Sequence, residues 1–278
     1  MLFRSQTLVF GDTDTSSAAS WLLDNNGASG NALTLAGTSP GITVNALGAG
    51  RAATVGAVVA GTSGLTKTGN GTLILANNNT YSGGTTISAG TLQIGSGAAS
   101  GTLGGGSVTN NIALVVNHSD SVSVTSPITG TGSITQSGVG SLTLSGANTY
   151  SGGTVLTSTG VLVITNSNSL GTGPLNLQSA QTAATPTFQI GGEVTITNAL
   201  NIDSSTGREM IYATNGNNIL SGSLVITGAT SSTLVVQNSD APNAGTLLTV
   251  AVPSRARTSR TPCPCGAIRG ISACFPAW

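Results

Sequence analysis

The chain runs to 278 residues, enough for one large domain or two small ones. Charged residues are 6% of it and aromatics 3%, against roughly 25% charged residues in an average soluble protein, which excludes a helical bundle laced with salt bridges. The formal net charge is zero, so neither nucleic acid nor an anionic membrane is an expected partner, and the 38% of hydrophobic residues, alternating with polar ones, argue against disorder.

The first residues, MLFRSQTLVFGDTDT, do not read as a signal peptide, because Arg4, Ser5 and Gln6 break the apolar stretch. No run reaches the about 18 apolar residues of a membrane-spanning helix, so no membrane insertion by this chain is expected. Asp12-Thr13-Asp14-Thr15-Ser16 resembles the opening of a calcium loop. The loop needs Gly at its sixth position and Glu at its twelfth, and these are Ser17 and Leu23, so a solvated turn is expected.

Strand signals then recur along the chain. Ala32-Leu33-Thr34-Leu35, Ile42-Thr43-Val44 and the Val- and Gly-rich Ala52–Ala60 come first, each bounded by turn residues. Residues 64–94 read GLTKTGNGTLILANNNTYSGGTTISAGTLQI. Within them Leu73 and Leu75 share one face of a strand, Asn79 to Gly84 form a corner, Thr85-Thr86-Ile87 is a second strand, and Leu92 and Ile94 point inward from a third. The Asn77-Asn78-Asn79 corner suits side-chain amides laddering between coils, and Tyr81 is expected to cap the apolar interior. Lys67-Thr68 lacks the preceding Gly of a phosphate loop, since Thr66 stands there.

Ala113-Leu114-Val115-Val116 is the next strand. Asn117-His118-Ser119-Asp120 places His, Ser and Asp side by side, too close in the chain for a catalytic triad, so a polar turn is expected. Residues 133–164 then repeat the earlier segment as SITQSGVGSLTLSGANTYSGGTVLTSTGVLVI. Gly69, Gly71, Leu73, Leu75 and Asn79–Thr85 recur as Gly138, Gly140, Leu142, Leu144 and Asn148–Thr154, and the offset from Tyr81 to Tyr150 is 150 − 81 = 69 residues. Gln136 replaces Lys67, so no fixed charge is demanded there. Further strand signals lie at Val194–Ile196, Leu224–Ile226 and Leu234–Val236.

At residue 253 the composition breaks. The tail VPSRARTSRTPCPCGAIRGISACFPAW, read from Val252, holds four of the seven Arg and all three Cys, Cys263, Cys265 and Cys274. A disordered tail outside the fold is expected over 253–278, as a reading-frame shift in the source gene would produce. Cys263-Pro264-Cys265 lacks zinc-ligand spacing.

A unit of about 30 residues this thin cannot close a core alone and must stack on a neighbour. The expected fold is all-β, a single-layered right-handed parallel β-helix, a β-solenoid, over residues 1–252. At roughly 20–25 residues per coil it would hold about 10–12 coils in a rod on the order of 50 Å long.

The glycine, leucine and Asn-Thr-Tyr-Ser-Gly-Gly-Thr spacing of Gly64–Ile94 and Ser133–Ile164 resembles the passenger-associated transport repeat, also called the autotransporter-associated β-strand repeat. Thr34–Gly61 and Thr187–Thr249 look like degenerate versions. The resemblance implies a passenger domain of a bacterial type V secretion protein. It would be carried to the cell surface by an outer-membrane β-barrel translocator and act as a stalk or adhesin scaffold toward host or cell-surface glycans or proteins. No barrel strands follow residue 252, so a truncated gene product without function stays open. A polysaccharide-acting β-helix enzyme is the other alternative. Glycoside cleavage commonly needs two flanking carboxylates, and residues 25–192 hold one acid, Asp120. No catalytic residue, cofactor or metal is assigned.

Overall fold

Short alternations of apolar and polar residues, closed by Gly, Asn or Ser, form parallel strands throughout the computed structural model of the chain. The structure describes residues 7–11, 19–28, 30–37, 40–157, 159–179, 186–204, 208–228, 233–238 and 247–250. The tail 253–278 and the Asp12–Ser16 turn lie outside them. Among the described residues there is no helix.

The strands coil into a β-solenoid. Its longest sheet stacks ten strands, from Trp21–Leu23 through Thr72–Leu75, Thr91–Ile94 and Ser133–Gln136 to Leu224–Gly228. A first six-stranded sheet runs from Thr7–Phe10 through Gly41–Val44, Leu65–Thr68, Thr85–Ile87 and Val108–Asn110 to Ile128–Thr129. A second six-stranded sheet runs from Ser121–Val124 through Ser141–Leu144 and Val161–Ile164 to Thr233–Asn238. Two smaller sheets pair Ala32–Thr34 with Val58–Ala60, and Thr195–Ile196 with Asn217–Leu220 and Leu247–Val250. The described strands within Thr34–Gly61 and Thr187–Thr249 stack in parallel as those of the two clear repeats do.

Successive coils are close to the expected length: Thr91 pairs with Ala113, Ala113 with Ser133, and Ile134 with Thr154. Ten strands at about 4.8 Å make the long sheet about 43 Å deep. In-register stacking places like on like. Leu75, Ile94, Val116, Gln136, Leu156 and Leu177 form one inward row, and Leu73, Leu92, Leu114 and Ile134 another. Apart from Gln136, the core along these rows is continuous apolar side chain with almost no exposure.

The two repeat copies occupy different faces. In the first copy, Leu65–Thr68 lies in the first six-stranded sheet and Thr72–Leu75 in the long sheet. In the second, the equivalent Ser133–Gln136 lies in the long sheet and Ser141–Leu144 in the second six-stranded sheet. The 69-residue offset is therefore three full coils and one further face. In each copy the Asn-Thr-Tyr corner lies across a face in place of a strand: Thr80 N donates to Val59 O at 2.8 Å, and Thr149 N to Ile128 O at 2.9 Å.

Leu65–Thr68 and Ser133–Gln136 are strands that the apolar alternation did not signal. Their inward positions hold Lys67 and Gln136, both fully buried, so the pattern breaks where the strand does not.

Candidate functional site

The residues that make the repeat recognisable converge on three structural devices, each built twice. The first is a buried clip. Asn79 Oδ1 accepts from Val59 N of the preceding coil at 2.8 Å, and its Nδ2 donates to Thr102 O of the following one at 2.6 Å. Asn148 repeats this with Ile128 N at 2.8 Å and Ser169 O at 2.6 Å. The expected amide ladder is corrected here: these corner amides bond to main chain above and below, because the unpaired backbone of a corner is a more pressing partner than another amide. An amide pair does occur on the long sheet, where Asn201 Nδ2 donates to Asn176 Oδ1 at 2.8 Å.

The second device is the tyrosine corner. Tyr81 and Tyr150 have no exposure, and each hydroxyl meets an inward-facing threonine, Thr85 at 2.7 Å and Thr154 at 2.5 Å. Each ring lies under a glycine of the next coil. A Cβ on Gly104 would stand 2.5 Å from the Tyr81 ring, and one on Gly171 would stand 3.1 Å from the Tyr150 ring. Burial pushes both phenols above their ordinary ionisation range.

The third device is an interior donor. Lys67 Nζ donates to the carbonyls of Thr68 at 2.8 Å, Gly69 at 2.7 Å and Ala89 at 3.1 Å. Gln136 Nε2 reaches Gly138 O at 3.2 Å and Gly140 O at 3.0 Å. Both satisfy carbonyls turned inward at a corner, three for the cation and two for the neutral amide, whose own buried oxygen Oε1 has no hydrogen-bond partner among the described residues. Desolvation lowers the Lys67 pKa to about 8.

That shift makes a prediction with a definite sign. A folded-state pKa below the unfolded one means that the unfolded chain holds the extra proton between the two values, so stability rises with pH across that window. We expect a gain of about 2 kcal/mol between about pH 7.5 and 9.5. Lys67→Gln should abolish it. Urea unfolding followed by circular dichroism at several pH values reads the effect directly, and an equal pH dependence in both proteins would refute it.

His118 lies in the turn expected of it, but the ring is buried at 2% exposure. Its Nδ1 meets Asp120 Oδ1 at 2.9 Å, and Nε2 contacts Gly101 O in the previous coil. Ser119 is held by main chain, its N donating to Ala98 O at 3.2 Å. The motif therefore clips two coils together. Sequence reasoning identified it as a turn and missed the inter-coil contact, because Gly101 is 17 residues away and carries no side chain to signal it.

The acids whose side chains are described lie in separate local settings. Asp24 accepts from Asn26 N at 2.9 Å, Asp120 faces His118, Glu193 sits in a turn with φ 60°, and Glu209 is buried in the strand Arg208–Asn215. Among the described residues no three His, Cys, Asp or Glu side chains gather in a metal-binding group. No described helix is long and apolar enough to cross a membrane.

Comparison with known proteins agrees with the built geometry. Residues 65–94 and 134–164 match the passenger-associated-transport-repeat family. The Adhesin BmaC autotransporter of Brucella suis biovar 1 (strain 1330) is 39% identical over 117 residues, covering 41% of this chain and 3% of that protein. The chain thus corresponds to a small part of that relative's length. No solved structure matches the chain.

Proposed function

Because the chain carries two passenger-associated-transport repeats, we propose that it is a passenger segment of a bacterial autotransporter. It is displayed at the cell surface with an outer-membrane β-barrel translocator as partner, and it serves as a stalk or adhesin scaffold rather than as an enzyme. The observation that carries this reading is the use of the repeat residues. Asn79, Tyr81, Lys67 and their counterparts Asn148, Tyr150 and Gln136 are all buried and bonded between or within coils. Such positions stiffen a rod and leave none of those side chains for a substrate. The name of the relative as an adhesin supports the surface role.

Two measurements test it. Small-angle scattering should return an elongated β-rich particle with a long dimension of at least about 43 Å, the depth of the long sheet. A compact particle with a helical circular dichroism spectrum would end the scaffold reading. Fused behind an export signal and ahead of a translocator barrel, the chain should become sensitive to protease on intact bacteria. Retention of the fusion inside the cell, with the barrel correctly inserted, would end the passenger reading.

A further inference from the structure

One corner of the solenoid is longer than stacking requires. Along the edge between the first six-stranded sheet and the long sheet, the turns 69–71, 88–90, 111–112 and 130–132 use two or three residues. Between Gly41–Val44 and Ala52–Val55 the chain uses seven, 45–51. This loop is ordered by its own chemistry. Leu47 is 2% exposed and anchors it in the core. Gly48 and Gly50 have φ values of 93° and 70°, a region that residues with a Cβ rarely enter, and Arg51 N closes the turn on Gly48 O at 3.3 Å.

The loop overhangs the outer surface of the long sheet and borders an open cleft of about 460 Å³, within the about 300–1,000 Å³ usual for small-ligand sites. Arg51, Asn70, Thr72 and Gln93 line it with polar groups, and Ala49 and Ile74 with apolar ones. Of the cationic side chains the structure describes, Lys67 is sealed in the core and Arg51 is exposed. Arg51 has no ion-pair partner among the described residues, where His118–Asp120 is the contact of that kind. The side chains of Arg51, Asn70 and Thr72 make no hydrogen bond to another described residue. Gln93 donates to Gly95 O at 2.7 Å and keeps its amide oxygen uncommitted.

We propose that this cleft binds an acidic sugar, a hexuronate unit of an anionic polysaccharide. A guanidinium pairs with a carboxylate through two parallel hydrogen bonds, a fit that a neutral sugar cannot supply. Asn70, Thr72 and Gln93 offer the mixed donors and acceptors that ring hydroxyls require, and Ile74 with Ala49 provides a small apolar wall for the face of the ring. The turns at the same edge in the next four coils carry no such overhang. The inference is independent of the passenger reading. A rod that binds no sugar here would still scatter as a rod and still be displayed.

The test is calorimetric titration of the full chain with an α-1,4-linked galacturonate trimer. Its fully methyl-esterified form serves as the neutral arm and a triglutamate peptide as the acidic-peptide arm. Saturable binding of the galacturonate is expected, weakening as salt rises. The methyl ester and the Arg51→Gln variant should each bind at least about tenfold more weakly, with Arg51→Lys between the two. Arg51 lies outside the core, so the variants should keep the parent circular dichroism spectrum. Absence of galacturonate binding by the folded parent, equal binding by Arg51→Gln, or equal binding of triglutamate would each overturn the proposal.

Discussion

Gly140→Ala should destabilise the solenoid by about 3 kcal/mol or more, while Gly105→Ala should leave it within about 0.5 kcal/mol of the parent. The contrast follows from how coils meet at their corners. A Cβ on Gly140 would stand 1.9 Å from Asp120 O in the preceding coil, whereas one on Gly105 finds nothing nearer than 3.6 Å. The carbonyl of Asp120 cannot move aside cheaply, because it accepts from Ser141 N at 3.1 Å. Gly140 is held in turn by its own N–H on His118 O at 2.8 Å, and its carbonyl accepts from Val161 N at 3.0 Å. Relief of the clash would have to separate two coils. The same corner recurs one face round at Gly71, where the equivalent Cβ would meet Asn45 O at 2.2 Å. Urea denaturation of the two variants, read at the β-strand circular dichroism minimum, measures the difference. Comparable midpoints for Gly140→Ala and Gly105→Ala would show that the corners are looser than this packing implies.

The glycine spacing was legible in the sequence, and its reason was not. Gly69, Gly71 and Gly90 recur as Gly138, Gly140 and Gly160, which identifies a repeat. The structure shows what the third glycine is for. A Cβ on Gly90 would strike Gly71 O at 2.4 Å and Gly69 O at 2.5 Å, and one on Gly160 would strike Gly138 O at 2.3 Å and Gly140 O at 2.7 Å. Three glycines separated in sequence meet at one edge of two successive coils. Period-two alternation likewise revealed Thr72–Leu75, Ala113–Val116 and Val161–Ile164, whose inward positions are apolar. It failed at Leu65–Thr68 and Ser133–Gln136, whose inward Lys67 and Gln136 look like surface residues until their carbonyl partners are known.

The Arg51 cleft was hidden for a different reason. Its wall comes from residues 46–51 and its floor from Asn70 and Thr72 in the next coil and Gln93 in the one after. Neighbours in a solenoid lie about one coil apart in sequence, and the coil length varies: Gly41 pairs with Thr66, yet Leu65 pairs with Thr85. A period that drifts in this way blurs outward-facing clusters in the sequence, while inward rows survive because they are apolar throughout. The half of the architecture that makes the core is therefore readable, and the half that faces a ligand needs the register.

Tyr150 carries the second large effect. Tyr150→Ala should cost about 3–5 kcal/mol, the range for truncating a buried aromatic that its surroundings cannot refill. Refilling is obstructed because the ring is enclosed by backbone: Gly171 covers one side, and Thr172 N and the Tyr150 carbonyl are bonded at 2.9 Å. Tyr150→Phe keeps the ring but leaves the hydroxyl of Thr154, which has no exposure, without its partner, at a cost of about 1–2 kcal/mol. The double variant Tyr150→Phe with Thr154→Val should recover part of that loss, since it removes both halves of the hydrogen bond. The phenols of Tyr81 and Tyr150 are also held protonated by burial. A raised folded-state pKa means that stability falls as pH climbs past the ordinary tyrosine value of about 10, because only the unfolded chain can release that proton. Their phenolate absorbance should therefore appear together with the loss of β-structure. Phenolate signal from all the tyrosines below the unfolding transition would show that these corners are open to water, and with them the coil stack they close.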